Sequence, residues 1–107
     1  MSNENIVLIA RLKVKKEAVE TAKKAALAII EDSRAENGCI NYDFHQAIDD
    51  ETVFIWHETW ANETAIKSHG KTKHFAEFSE QIKDLTETPL EIILTKMVSE
   101  KAKSIGV

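Results

Sequence analysis

The chain has a single cysteine, a single proline and three glycines. Cys39 has no partner for an internal disulfide, which fits a reducing compartment. A nucleophilic role for it would need a neighbouring base; its place at the start of a strand, directly after Gly38, fits a buried structural thiol instead. No apolar run is long enough to cross a membrane. The N-terminus shows no basic stretch followed by an apolar one, so no secretory signal is expected and a cytoplasmic location is. Acidic residues outnumber basic ones, 18 to 14, for a formal net charge of -4. That argues against a nucleic-acid partner, because a phosphate backbone is bound through a basic surface. Lys13, Lys15 and Lys16 read as solvated charges at a strand end. Repeats, linkers and low-complexity tracts are absent.

The scarcity of glycine also decides how "SHGKTKHF" (68–75) is read. Gly70, Lys71 and Thr72 match the end of a phosphate-binding loop, but its first glycine would fall at Ala65, inside a helical stretch. His69 and His74 stand five residues apart across a helix break. They lack the i, i+4 spacing that puts two ligands on one helical face, and no cysteine pair supports them, so no metal is expected. The remaining reading is a junction between two helices beside the sheet.

What is present describes a globular domain. The length of 107 residues fits one domain over 1–107, with 101–107 as a mobile tail. "NIVLIARLKV" (5–14) is a strand with Ile6, Leu8, Ala10 and Leu12 on one face and Val7 and Ile9 on the other. Residues 16–37 carry a helical stripe of Val19, Ala22, Ala26, Ile29 and Ser33, ended by Gly38. Residues 39–48 and 52–60 form a hairpin. In its first strand Ile40, Tyr42, Phe44 and Ile48 share a face, opposite Cys39, Asn41, Asp43 and His45. Residues 62–70 and 72–85 are helices, with Asn62 and Thr72 as caps. Pro89 blocks continuation, and 90–98 is the last strand.

The order β-α-β-β-α-β predicts an α+β, ferredoxin-like fold: an antiparallel sheet with helices on one face. The other face carries Val7, Ile9, Val53 and Ile55, an apolar surface that a second copy would cover, so a homodimer is expected.

Period-two alternation points Trp56, Glu58 and Trp60 to one side of their strand. A carboxylate between two indoles is costly to bury unless paired or neutral. His69, four residues after Ala65 and three after Ile66, lies on the apolar face of its helix. Two readings stay open: a solid core in which Glu58 meets a lysine, or an aromatic-walled pocket with a Glu58–His69 proton-handling pair.

Three stretches carry a resemblance. Gly38, Cys39 and Tyr42, then Glu58 and Trp60, then His69, Thr72, His74 and Phe75 together resemble the antibiotic biosynthesis monooxygenase family of small dimeric α+β barrel proteins. The resemblance covers nearly the whole chain. It implies a cofactor-independent monooxygenase, with neither metal nor flavin, acting on a small aromatic, phenolic or quinol substrate and O₂. It implies Glu58 and His69 as the proton-transfer residues. Asn41, Tyr42, His45, Trp56, Trp60 and His74 become substrate contacts, Asn41 and His45 only if their face turns toward the pocket. Polyketide-oxidising relatives carry an Asn where this chain has Trp56, and indole donates one N–H but accepts none, which argues against polyketide substrates. Haem-degrading relatives carry an Asn and an axial His where this chain has Ala10 and Ser79, which argues against haem. Two alternatives stand beside the oxygenase. One is an isomerase of a phosphorylated signalling sugar, with Lys71 or Lys73 attracting the phosphate; the other is a dimer that binds a small ligand without turnover.

Overall fold

A computed structural model describes residues 5–99. The expected tail, 101–107, lies outside the described residues. Strand β1 (Ile6–Lys13) leads through a 3₁₀ turn (Lys16–Ala18) into helices α1 (Val19–Leu27) and α2 (Ile30–Arg34). Then follow β2 (Cys39–Gln46), β3 (Val53–Trp60), α3 (Glu63–His69), α4 (Lys73–Ile82) and β4 (Glu91–Thr95). The sheet order is β2-β3-β1-β4, antiparallel at each pairing, which is the ferredoxin-like arrangement.

The register carries the sequence alternation across the sheet. Leu8 faces Glu58, Ala10 faces Trp56 and Leu12 faces Phe54. These residues lie on the helix side, and all six are buried. The small alanines Ala22, Ala25 and Ala26 of α1 are buried too, so that helix lies close over the sheet.

Two expectations need correction. The stretch 16–37 is not one helix: Ala28 and Ile29 interrupt it. Ile29 takes φ -107° and ψ 7°, and its N–H reaches back only three residues, to the Ala26 carbonyl. The predicted stripe survives the break, with Val19, Ala22, Ala26, Ile29 and Ser33 all buried. The second correction is the face of β2. A bulge between Cys39 and Asn41 inserts one residue against β3. Beyond an inserted residue the alternation restarts, so Ile40 is left 54 % exposed while Cys39 packs against the core with Tyr42 and Phe44. Ile48 lies past the end of the strand and is fully exposed.

Gly38 has φ +90°, the left-handed region that disfavours a side chain. A Cβ there would also stand 2.6 Å from the Ala65 Cβ on α3. The bare glycine thus lets α3 settle against the turn before β2. Gly38→Ala combines backbone strain with a core clash, and is expected to lower unfolding free energy by about 2–3 kcal/mol. Urea denaturation measures this; a loss within experimental error would show that α3 can slide away at no cost.

Candidate functional site

The site forms where α3 ends and α4 begins, over the middle of β3. Its helix ends are fixed locally. The Asn62 side chain accepts from the Ala65 N–H at 2.9 Å, and Thr72 Oγ1 accepts from the Phe75 N–H at 3.2 Å. Thr72 Oγ1 also donates to the His69 carbonyl at 2.8 Å, joining the end of α3 to the start of α4. Both predicted caps are therefore present, and the second holds His69 and His74 in one frame.

Glu58 is buried on β3. The Trp60 indole Nε1–H donates to its Oε1 at 2.8 Å. Burial pushes its carboxyl up from the ordinary 4.5 to about 7; the Trp60 hydrogen bond works the other way, and the negative charge of Glu36 adds to the rise. Near neutrality a large fraction of Glu58 is thus a neutral acid. Neither a lysine nor His69 bonds to it among the described residues.

The carboxylate that holds His69 is Glu36, in the turn between α2 and β2. Its Oε2 lies 2.7 Å from His69 Nδ1 and 2.6 Å from His74 Nε2. The expected Glu58–His69 pair is replaced by a three-residue cluster, and the helix break that seemed to separate the two histidines instead aims both at one oxygen. An imidazole donating from Nδ1 keeps Nε2 as its acceptor nitrogen when neutral. The aromatic surroundings of His69 fix its ring plane, with centroids of Trp60 at 4.9 Å, Phe75 at 5.1 Å and Tyr42 at 5.6 Å.

A cavity of about 140 Å³ opens beside this cluster. It is lined by Leu8, Ala10, Trp56, Glu58, Ile66, His69, Gly70, Phe75, Phe78, Leu90 and Ile92. A cavity near 150 Å³ with apolar walls accepts a benzene ring. Two polar groups interrupt the apolar lining, the acid of Glu58 and the imidazole of His69. The Trp56 Nε1–H is buried with no partner. An unpaired buried donor is costly, and this one is closed off by the packing around it. No lysine or arginine lines the cavity among the described residues.

The other sequence candidates fall in different places. Trp60 is fully buried behind the cavity, where it orients Glu58. Tyr42 is buried next to His69, and its hydroxyl is held well above the usual phenol range, first by burial and then by the charge of Glu58. His74 bonds Glu36 and is absent from the cavity wall. Asn41 and His45 lie on the far face of the sheet. Asn41 Nδ2 donates to the His57 carbonyl at 3.0 Å, and His45 is exposed there. Cys39 is half-buried, and its thiol is pushed up to about 11 by burial and by the charges of Glu36 and Glu58, which removes it as a nucleophile.

Glu36 was missed because an acid at the end of a helix reads as a solvated charge. The signal that could have found it is its position two residues before Gly38, the turn that Ala65 packs against.

Comparison with known proteins agrees with the fold. The family described as "Antibiotic biosynthesis monooxygenase" matches residues 5–81. A Bacillus subtilis protein named "Putative monooxygenase YcnE" is 37% identical over 92 residues, 86% of this chain and 97% of that one. Among solved structures, PA3566 of Pseudomonas aeruginosa superposes with a TM-score of 0.85 at 29% identity, covering 90% of this chain and 96% of that one. Rv0793 of Mycobacterium tuberculosis superposes with a TM-score of 0.85 at 22% identity, covering 92% and 99% of the two chains, a likeness of fold.

Proposed function

The chain belongs to the antibiotic biosynthesis monooxygenase family, and on that footing we propose that it oxidises a single-ring phenol or hydroquinone with O₂, using no bound cofactor. The observation that carries this reading is the benzene-sized, largely apolar cavity whose wall holds the raised carboxyl of Glu58 and the imidazole of His69 together.

The chemistry follows from what each group can do. The Trp56 indole and the Phe75 ring offer the substrate apolar walls. His69 Nε2 takes the phenolic proton, and the ring oxygen becomes an anion in a site with few other polar groups. A phenolate is a better reductant than a phenol, so it passes one electron to O₂. The two radicals then join at a ring carbon. The resulting hydroperoxide loses water, with Glu58 placed to supply a proton to the departing oxygen. One oxygen atom ends on the ring as a quinone carbonyl and the other leaves as water. For a phenol, C₆H₆O and O₂ give C₆H₄O₂ and H₂O, so the substrate supplies all four electrons.

The lining disfavours a phosphorylated sugar. A phosphate carries close to two negative charges and needs cations or a row of N–H groups. Lys71 and Lys73 are exposed and do not line the cavity. The β4 edge of the sheet also supports a second copy of the chain, whereas on the expected apolar face Val53 is already buried and Val7, Ile9 and Ile55 are half-buried. Ile92, Ile93 and Leu94 are each more than half exposed, and Met97 and Val98 more so. Ile92 belongs to the cavity wall, so a partner covering β4 would close the cavity from water. Sedimentation equilibrium is expected to return twice the chain mass; a single-chain mass at micromolar concentration would remove the dimer. The cytoplasmic setting remains part of this proposal.

The test is an oxygen electrode and a panel of monophenols, catechols and hydroquinones. Uptake above autoxidation, with one atom of ¹⁸O₂ retained in the product, supports the reading. No uptake across the panel, with anaerobic turnover of a phosphorylated keto-sugar, would replace it by the isomerase. Saturable binding of a panel member with no product would replace it by a ligand-binding dimer.

A further inference from the structure

We propose that Glu36, His69 and His74 form a binding site for one divalent transition-metal ion of the Zn²⁺ class, which enters in place of the protons these side chains share. The ligand atoms are His69 Nδ1, His74 Nε2 and a Glu36 carboxylate oxygen, all within 4.8 Å of one another. They come from three separate elements, the α2–β2 turn, the last residue of α3 and the first turn of α4.

Two imidazoles and one carboxylate make a borderline donor set. Such a set suits Zn²⁺, Co²⁺, Ni²⁺ or Cu²⁺, whereas Mg²⁺ and Ca²⁺ want oxygen alone. The side chains are held in place, with only 7 %, 11 % and 17 % of His69, Glu36 and His74 exposed. Thr72 fixes the spacing of the two histidines by bonding the ends of both helices. The cluster is nonetheless reachable. Glu36 lines an open cleft together with Asn37, Ser68 and Thr72, a polar entry from which water can fill the remaining coordination positions.

The present contacts are those of shared protons. Ligands 2.0–2.1 Å from a tetrahedral ion stand about 3.3 Å apart, and the two N···O separations here are 2.7 and 2.6 Å. The ion therefore enters with a small swing of the Glu36 side chain toward the cleft, which its flexible stem allows. In each neutral imidazole the ring proton moves, through solvent, from the ligating nitrogen to the other one as the ion binds.

Occupancy has a consequence on the cavity side. An ion on His69 Nδ1 shifts the ring proton to Nε2, the nitrogen otherwise free to accept. The imidazole then presents a donor to the cavity in place of a base. That consequence rests on the proposed function, whereas the binding itself does not.

The test uses the full chain, stripped of metal. Zn²⁺ titration by calorimetry should show one equivalent bound per chain, and Co²⁺ should give the visible absorption of a nitrogen- and oxygen-ligated ion. Glu36→Gln and His74→Ala should each weaken Zn²⁺ binding at least tenfold, with folding checked by circular dichroism. His74→Gln provides a second, less disruptive variant, in which the rise in Tm that Zn²⁺ gives the parent chain should be lost. A double variant of the two exposed histidines on the far face, His45→Ala with His57→Ala, should bind as the parent does. Loss of binding in that double variant, or binding that survives both Glu36→Gln and His74→Ala, would overturn the site, as would absence of saturable uptake at millimolar Zn²⁺. Oxygen uptake with an active panel member separates the two proposals. Inhibition that tracks Zn²⁺ occupancy supports the tautomer consequence; full activity at saturating Zn²⁺ overturns that consequence and leaves the site in place.

Discussion

Glu58→Gln is expected to remove a fall in stability that the parent chain shows as pH rises from about 4.5 to about 7. The unfolded chain presents Glu58 to water with the ordinary carboxyl value of 4.5; burial in the folded chain pushes it up to about 7. Between those values the folded protein holds a proton that the unfolded protein has lost. Raising the pH therefore favours unfolding through this window, and the loss is complete above the folded value. At about 1.4 kcal/mol for each tenfold in proton affinity, the change is on the order of 3 kcal/mol. Gln keeps an amide oxygen that can accept the Trp60 N–H but has nothing to titrate. Other titratable groups surround the site, with Tyr42 on β2, Glu36 before it and His69 on α3; they are present in both proteins, so the difference follows Glu58 and its coupling to them. The measurement is urea unfolding of both proteins from pH 4 to 8. A difference between them that stays constant with pH would show that Glu58 is no more burdened by burial than a surface acid.

This buried acid shows how far the sequence could be read. The alternation Phe54, Trp56, Glu58, Trp60 is a local property of one strand, and the register against Leu12, Ala10, Leu8 and Ile6 turns it directly into a face. The caps Asn62 and Thr72 are equally local, because each satisfies an N–H three residues ahead of itself. The order of elements, read from those periods, leads to the ferredoxin-like sheet. What failed depends on interruptions that leave no mark on the pattern. The bulge beside Ile40 adds one residue to a run of strand formers, and period two cannot register the added residue. The break at Ala28–Ile29 leaves the buried stripe in phase, so the sequence reads as one helix. The partner of His69 was harder still. Glu58 shares a cavity wall with His69 and is the acid that alternation points to, whereas Glu36 reaches the imidazole only because Gly38 has no Cβ to hold α3 away. The cavity volume itself is a difference between packed shapes, and no single residue encodes it.

His69→Gln is expected to lower the oxygen-uptake rate on the fastest panel substrate by about 10²–10⁴-fold, the usual contribution of a positioned base. Gln fills much of the same space, so the apolar walls from Leu8 to Phe78 remain and KM should change little. A side-chain amide cannot take up the phenolic proton near neutral pH, so the substrate stays largely as its neutral phenol and gives electrons to O₂ poorly. The loss should therefore fall on kcat, because the missing interaction belongs to the step that makes the anion. Raising the pH toward the substrate's own pKa should restore part of the rate, since solvent then removes the proton that His69 would have taken. That recovery separates a base from a wall: a residue that only shapes the cavity would raise KM and gain nothing from alkali. Uptake by His69→Gln within a factor of three of the parent, at saturating substrate and neutral pH, would exclude His69 as the proton acceptor and shift the role to Glu58, whose ionised form lies across the same cavity.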